Sequence, residues 1–453
     1  MCGIFGIWHP QAQTFLFDGL YAMQHRGKES AGAAIITKDG VENYTSMGFV
    51  NDLFKKYPNL RETQTHAAIG HIRYSTSGKS CIENAQPLLR QTKYGDIAIV
   101  HNGTIPKAKE LKTDFLNKGG FLAGDLDTEI FLRVVVESNK KTLNDALIEA
   151  VEKIDCAYSF LILSENALYA IRDRYGFWGL SIGKKESGYV FASEAVALDK
   201  INASYVSEVE PGAIFKIFNH NGNIETRLIR TKSSVKKSSR CVFDMIYLSN
   251  PASTNTETGC SVYTLRKKLG IKLAEEFMSK NIKIDIVVPV PDSGNISALG
   301  FHKISNIPLE FALIRGHYTN RTFIDPSQEE RSVGVRRKFD PVYDIINGKK
   351  IGLVDDSLVR GTTSKKLARM LKKCGASEIH LLIASPPIKF PCHYGIDMKT
   401  KEELIASKNS IDEIIKIIGA DSLTFLSMDS FNDVFNKNNF CNGCFSEKYP
   451  TQL

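Results

Sequence analysis

The sequence predicts a fold in two parts: a β-rich, layered α+β part followed by an α/β part built on a parallel sheet. Up to about residue 230, short apolar segments are separated by glycine turns, which is typical of sheets. After residue 240, fully apolar strands alternate with helix patterns, which indicates a parallel sheet covered on both faces. The polar stretch RTKSSVKKSSR at 230–240 separates them. We therefore expect domains at 2–230 and 241–453, joined by a linker at 231–240.

The first part contains strand and helix patterns in alternation with turns. Apolar, β-rich runs predict strands at 97–100, 159–164 and 189–192. Helical spacing of apolar residues predicts helices around 128–136 and 143–154. Strands therefore dominate this part.

The second part alternates between the two kinds of element. We expect helices at 265–280 and 364–374, the latter ending at Gly375, and strands at 285–290, 351–354 and 379–384. In such a sheet, ligands bind beyond the carboxyl ends of the strands.

Composition indicates a soluble, globular chain. With 453 residues, 43% hydrophobic and 24% charged, the chain is too ordinary to be disordered or fibrous. A net charge of +8 is a mild excess that does not indicate a nucleic-acid partner, and an anionic small molecule would satisfy the same bias. No apolar run is long enough to span a membrane, and the start does not resemble a signal peptide. Nine irregularly spaced cysteines favour a reducing, cytoplasmic location.

Cys2 is the first candidate for chemistry. We expect removal of Met1, because the second side chain is small, and this would give Cys2 its own base in the α-amino group. By itself, a cysteine at this position is more often a packing residue.

Three polar positions follow apolar segments in the same part of the chain. Arg73 and Asp127 could hold the charged ends of an amino acid, and Asn102 with Gly103 could donate hydrogen bonds to an oxyanion. Each also has a structural alternative: a surface ion pair for Arg73, a turn for Asn102 and Gly103, and a helix N-cap for Asp127.

A second candidate site follows the strand at 351–354, where the chain reads IGLVDDSLVRGTTS. Asp355 and Asp356 could accept hydrogen bonds from sugar hydroxyls or hold Mg²⁺. The following amides and hydroxyls could bind a phosphate at the helix start; they belong to Ser357, Arg360, Gly361, Thr362 and Thr363. The alternative is an acidic pair beside an ordinary helix.

A third candidate lies near the end of the chain. Cys441 and Cys444 have a chelating spacing that suits either Zn²⁺ or an iron–sulfur cluster, and spacing alone does not choose between them.

Five segments resemble the glutaminase domain of amidotransferases with an N-terminal cysteine nucleophile: MCGIFGI, YAMQHRGKESAG, HIRYSTSG, HNGTI and DTEI. The resemblance implies that Cys2 attacks the side-chain amide of glutamine. It makes Arg73 the partner of the glutamine carboxylate and Asp127 the partner of its amino group. Asn102 and Gly103 become the oxyanion hole.

The loop after residue 354 resembles the signature of phosphoribosyltransferases. In that family Ser293, within VPVPDSGN, would meet Mg²⁺ with Asp355 and Asp356, and Arg321 would lie in a closing loop over the substrate. A glutaminase followed by such a domain resembles the amidophosphoribosyltransferase family. This implies glutamine and phosphoribosyl pyrophosphate as substrates, purine nucleotides as inhibitors and a homotetramer.

One branch of that family carries a 4Fe-4S cluster, and its motifs match this chain around four cysteines: Cys241, Cys392, Cys441 and Cys444. The resemblance implies a structural cluster. Two other functions stay open from sequence: a ligand sensor on a DNA-binding protein, and a glutaminase that serves a different acceptor.

Overall fold

The computed structural model describes residues 1–74, 78–105, 108–117, 126–154, 156–232, 238–255, 258–316, 338–435 and 440–451. Within the first half, two antiparallel sheets pack face to face. The seven-stranded sheet has the order Ser204–Glu208, Ser181–Lys185, Gly188–Ala192, Gly3–Trp8, Ala67–Arg73, Ser30–Thr37, Gly40–Met47. The six-stranded sheet has the order Asn223–Arg230, Ala213–His220, Ala167–Arg172, Ala157–Ser164, Gly95–Thr104, Leu88–Thr92.

Helices cover the outer faces of both sheets, which produces four layers. Against the seven-stranded sheet lie the helices Ala12–Tyr21, Val50–Lys56 and Val196–Lys200. Against the six-stranded sheet lie Thr128–Glu137 and Leu143–Lys153. A separate apolar core, which includes Ile4, Trp8, Val100, Leu161 and Phe191, fills the space between the sheets. The helix Ala108–Asn117 completes this half of the described chain.

The second half is built on a parallel sheet with the strand order Ile286–Pro289, Lys350–Asp355, Glu378–Ile383, Ser422–Phe425. Its helices are Val262–Met278, Asn295–Ser305, Tyr343–Ile346, Thr362–Lys373, Ile405–Lys408, Ile411–Ile418, Met428–Phe435 and Gly443–Ser446. Two apolar cores cover the two faces of the sheet. One of them also contains Met1, Phe177 and Trp178, so it continues into the first half.

Short elements join the larger ones. Two-stranded pairings link Arg240–Cys241 with Phe440–Cys441, Thr254–Asn255 with Cys260–Ser261, and Leu313–Arg315 with Phe339–Pro341. A π-helical turn spans Asp244–Leu248, and 3₁₀ turns span Gln24–Arg26, Pro58–Arg61, Ile82–Asn84 and Lys401–Glu403.

The predicted strands and helices are confirmed, each within a few residues of its expected ends. The helix predicted at 364–374 begins two residues earlier and is followed by Gly375 at φ +88°. The first half contains more helix than the two helices expected there: the structure adds Ala12–Tyr21, Val50–Lys56, Ala108–Asn117 and Val196–Lys200. The buried residues of the first of these, Ala12, Leu16, Gly19 and Leu20, have helical spacing.

Candidate active site

Cys2 precedes the strand Gly3–Trp8, which lies in the interior of the seven-stranded sheet. Its thiol is partly exposed and donates to the carbonyl of Tyr74 at 3.7 Å. Arg26 Nε donates to the Cys2 carbonyl at 2.9 Å, which fixes the main chain at this residue. Burial lowers the pKa of the Met1 amino group to about 5.

Arg73 ends the neighbouring strand, Ala67–Arg73, and is buried. The pairing of Ile72 with Gly3 places the Arg73 backbone beside Cys2. Arg73 Nη1 lies 2.7 Å from Glu29 Oε1 and donates to the Lys79 carbonyl at 3.0 Å. A surface ion pair is therefore the wrong description, because this guanidinium is 2% exposed.

Asn102 and Gly103 lie near the end of the strand Gly95–Thr104. The Asn102 side chain is fully buried, and neither atom of its amide group has a hydrogen-bond partner among the described residues. Gly103 has φ +147°, and a Cβ there would stand 2.1 Å from the Ala157 carbonyl. These residues form a buried strand end rather than a simple turn.

Asp127 directly precedes the helix Thr128–Glu137, but its side chain makes no capping hydrogen bond. It accepts instead from the backbone N–H of Ile105 at 3.0 Å and lies 3.6 Å from His101 Nδ1. Burial opposes ionisation, but the His101 charge and these hydrogen bonds leave the pKa of Asp127 lowered. The carboxylate is suited to an amino group.

Two buried histidines that were not predicted from the sequence connect these strand ends. His71 Nε2 donates to the His101 carbonyl at 3.1 Å, and His101 Nδ1 is 3.1 Å from Thr128 Oγ1. Burial, helped by the Arg73 charge, lowers the pKa of His71 to about 3. The available signal was a histidine inside each of two otherwise apolar strands.

Residues 355–363, which we call the phosphate loop, begin at the end of the strand Lys350–Asp355 of the parallel sheet. Asp355 Oδ1 accepts from the Asp356 backbone N–H at 2.9 Å and from Ser293 Oγ at 3.4 Å. Burial and the neighbouring Asp356 charge raise the pKa of Asp355 well above its usual range. The adjacent carboxylates of Asp355 and Asp356 favour binding of a cation.

The helix Thr362–Lys373 begins directly after Gly361, whose φ is +73°. The N-terminal amides therefore face the loop, as the sequence indicates. The Arg360 guanidinium donates to Glu403 at 2.9 Å and to the Asp397 carbonyl at 3.0 Å. Arg321, predicted from the closing loop, lies outside the described residues.

One cavity brings the two halves together. Its volume is about 100 Å³. Met1 and Tyr74 line it from the first half, and the second half contributes the predicted loop residues Ser293, Asp355, Asp356, Ser357, Arg360, Gly361, Thr362 and Thr363. The residue before Cys2 and the phosphate loop thus share a common space.

The four predicted cluster cysteines converge. Cys241 and Cys441 are direct partners in a parallel pairing, and the charges of Cys392, Cys441 and Cys444 all act on Cys241. Burial comes first among the causes that raise the pKa of the Cys241 thiol. Among the residues that the structure describes, no three His, Cys, Asp or Glu side chains are arranged to hold a metal ion.

Comparisons with known proteins identify a domain in the first half of the chain and relatives of the whole chain. A glutamine amidotransferase domain model matches residues 71–200. The amidophosphoribosyltransferase of Methanocaldococcus jannaschii is 39% identical over 100% of this chain and 98% of its own. The chain belongs to the amidophosphoribosyltransferase family.

Solved structures agree with this membership. The glutamine phosphoribosylpyrophosphate amidotransferase of B. subtilis, complexed with ADP and GMP, has a TM-score of 0.89 at 38% identity and covers 99% of this chain and 97% of its own. A structure described as the allosteric regulatory enzyme of purine biosynthesis has a TM-score of 0.90 at 39% identity, over 99% and 96%.

The chain is therefore a glutamine-dependent pentosyltransferase that amidates phosphoribosyl pyrophosphate in purine biosynthesis. The expected fold class is confirmed as well. Full-length matches decide against a DNA-binding sensor and against a different acceptor. In the described part of the chain, the helices are all too short or too polar to cross a membrane.

Proposed function

We propose that the reaction is divided between Cys2, where glutamine is hydrolysed, and the phosphate loop, where ammonia displaces pyrophosphate to give 5-phosphoribosylamine. The two sites would belong to domains at 2–230 and 241–453, joined at 231–240. The observation that carries this proposal is the cavity lined by Met1 and Tyr74 on one side and by the phosphate loop on the other. An enclosed passage matters because ammonia in neutral water is mostly ammonium, which cannot attack.

In the glutaminase site, the α-amino group of Cys2, which removal of Met1 releases, takes the proton of the Cys2 thiol. The resulting thiolate attacks the side-chain amide of glutamine. Asn102 Nδ2 and the Gly103 N–H stabilise the oxyanion; the buried, unpartnered Asn102 amide supports this role. Arg73 binds the glutamine carboxylate, and the ionised Asp127 binds the amino group.

In the second site, Asp355 and Asp356 hold the ribose hydroxyls and, with Ser293, a Mg²⁺ ion. The donor set fits the ion, because the carboxylates and the hydroxyl are oxygen ligands placed together and the acidic pair is costly without a cation. Bound Mg²⁺ would neutralise the pyrophosphate leaving group. The sugar phosphate lies on the amides and hydroxyls of Ser357 and Arg360 to Thr363, and we assign Arg321 to binding of the same substrate.

We assign Cys241, Cys392, Cys441 and Cys444 to a structural 4Fe-4S cluster. The proximity of these thiols supports a shared metal group, and the resemblance of their motifs to the cluster-containing branch of the family favours iron–sulfur over zinc. Iron analysis and visible absorption of anaerobically purified protein test the assignment. Stoichiometric zinc without iron would overturn it.

We base our proposals for regulation and assembly on the relatives of this chain. The B. subtilis structure contains ADP and GMP, and we propose that purine nucleotides inhibit this chain too. We also propose a homotetramer in the cytoplasm, where the nine cysteine thiols would stay reduced.

Two variants test the division into two sites. Cys2→Ala should lose glutamine-dependent activity and keep activity with added ammonia, whereas Asp355→Ala should lose both. The assay measures pyrophosphate release with either nitrogen source and identifies the amine product. If a folded Cys2→Ala protein also lost the ammonia-dependent activity, the two-site division would be wrong.

A further inference from the structure

Arg26 is a fully buried arginine that joins three separate segments of the chain. Its Nε donates to the Cys2 carbonyl at 2.9 Å. Its Nη1 bonds to Glu194, and its Nη2 donates to Asp244 Oδ1 at 2.8 Å. One planar group therefore spans the proposed nucleophile, the first half and the second half. All three charged side chains are at most 2% exposed.

Glu194 extends this network in both directions. Its Oε1 is 2.8 Å from His25 Nε2, and its Oε2 accepts from the Asn250 N–H and from Ser253 Oγ, each at 2.8 Å. Segment 244–253 of the second half is thus bonded to the first half through two buried carboxylates, Glu194 and Asp244. Buried charges persist only when they are paired and hydrogen-bonded, so these bonds are obligatory rather than incidental.

The same segment also reaches the synthetic site. Asp244 opens the π-helical turn Asp244–Leu248, and two later residues of this turn, Tyr247 and Leu248, line the cavity that contains the phosphate loop. The Ser249 hydroxyl donates to Asp244 Oδ2 at 3.1 Å and holds the turn to the carboxylate. A displacement of this turn would therefore act on Asp244 and, through it, on Arg26.

We propose that Arg26 is a positioning residue for Cys2 and that Asp244 holds Arg26 in register, so that glutamine hydrolysis depends on the second half of the chain. The inference rests on the proposed function of Cys2. Its physical basis is geometric: a guanidinium with one of its three anchors removed can rotate about the others. Displacing a reacting group by about 1 Å costs roughly 100-fold in rate.

Asp244→Asn is the decisive variant, because it removes the charge but keeps the size and one acceptor. We expect the kcat of glutamine hydrolysis to fall by about tenfold to 100-fold, with the KM for glutamine changed less than about threefold. Ammonia-dependent synthesis should stay within about twofold. Arg26→Lys should show the same pattern, since one ammonium cannot reproduce the planar fork. Glu210→Gln, which breaks the exposed pair with Arg230, serves as the matched control and should change neither activity.

A purely structural role predicts a different result: both activities would fall together with the melting temperature. That outcome, or an Asp244→Asn protein with unchanged glutamine kcat, would overturn the proposal. If Asp244→Asn does not fold, Ser253→Ala carries the test, because it removes a single bond to Glu194; an unchanged glutamine kcat there would count against coupling. Failure of the underlying function is distinguishable, since Cys2→Ala would then keep glutamine-dependent activity.

Discussion

Replacing Asn102 with alanine should reduce glutamine hydrolysis severely and cost the fold little. The side chain is 0% exposed, and neither amide atom has a hydrogen-bond partner within the described residues. A buried polar group without a partner costs about 1–3 kcal/mol. Removing the amide recovers that cost and offsets part of the penalty for the small cavity that alanine leaves. We therefore expect a net change in unfolding free energy of less than about 1 kcal/mol.

The effect on catalysis should be much larger. Loss of one oxyanion donor typically lowers kcat by about 10² to 10³, which is about 2.7–4 kcal/mol of transition-state stabilisation. Asn102→Ala should therefore lose this factor in glutamate release and keep ammonia-dependent synthesis. The two measurements are a coupled kinetic assay with each nitrogen source and urea unfolding followed by fluorescence.

Asn43→Ala is a control outside the site, because Asn43 is exposed and its Nδ2 donates to the Pro87 carbonyl at 2.8 Å. That substitution should cost about 1 kcal/mol of stability and leave both activities intact. Our reasoning would be refuted if Asn102→Ala lost less than tenfold in glutamine kcat, or if it destabilised the fold more than Asn43→Ala does.

Two further predictions follow from a buried histidine and a constrained glycine. The folded pKa of His71 is about 3, below the unfolded value near 6.5, so its contribution to stability is complete above pH 6.5 and is lost as the pH falls. Urea unfolding should lose about 1.4 kcal/mol per pH unit between pH 6 and 4 from this group, and His71→Gln should flatten that slope; an unchanged slope would contradict the assignment. Gly361→Ala should raise the KM for phosphoribosyl pyrophosphate, because φ is +73° and the new Cβ would stand 2.5 Å from Ile405 Cδ1. Gly348→Ala has nearly the same φ, +74°, and open space, so it should lose about 1 kcal/mol of stability without a change in KM; equal KM values for the two variants would refute the steric argument.

The fold class could be predicted from local sequence patterns, because strands and helices each have a characteristic spacing of apolar residues. The parallel strand at 351–354 could be identified from its run of apolar residues. The helix after it could be identified from the acidic pair and the small hydroxyl residues that precede it. The helix Ala12–Tyr21 was missed because its apolar positions lie beside residues that also suit strands and turns, and tertiary packing against the seven-stranded sheet decides its conformation.

Some residues of the candidate site could be predicted from the sequence, and others could not. Cys2, Asn102 and Asp355 stand at element ends, where spacing and residue type are informative. His71, His101 and Arg26 act through partners that are distant in sequence, such as the 218 positions between Arg26 and Asp244. No window of sequence contains both members of such a pair, so only the folded chain reveals the bond.

The parallel pairing of Cys241 with Cys441 also sets the order in which the chain can mature. It closes a loop of about 200 residues, whose entropic cost is about 5 kcal/mol before any contact offsets it. This pairing forms only after residue 441 has left the ribosome, whereas the two antiparallel sheets lie wholly within the first 230 residues and can pair during translation. A chain truncated before residue 440 lacks the partner strand of Arg240–Cys241.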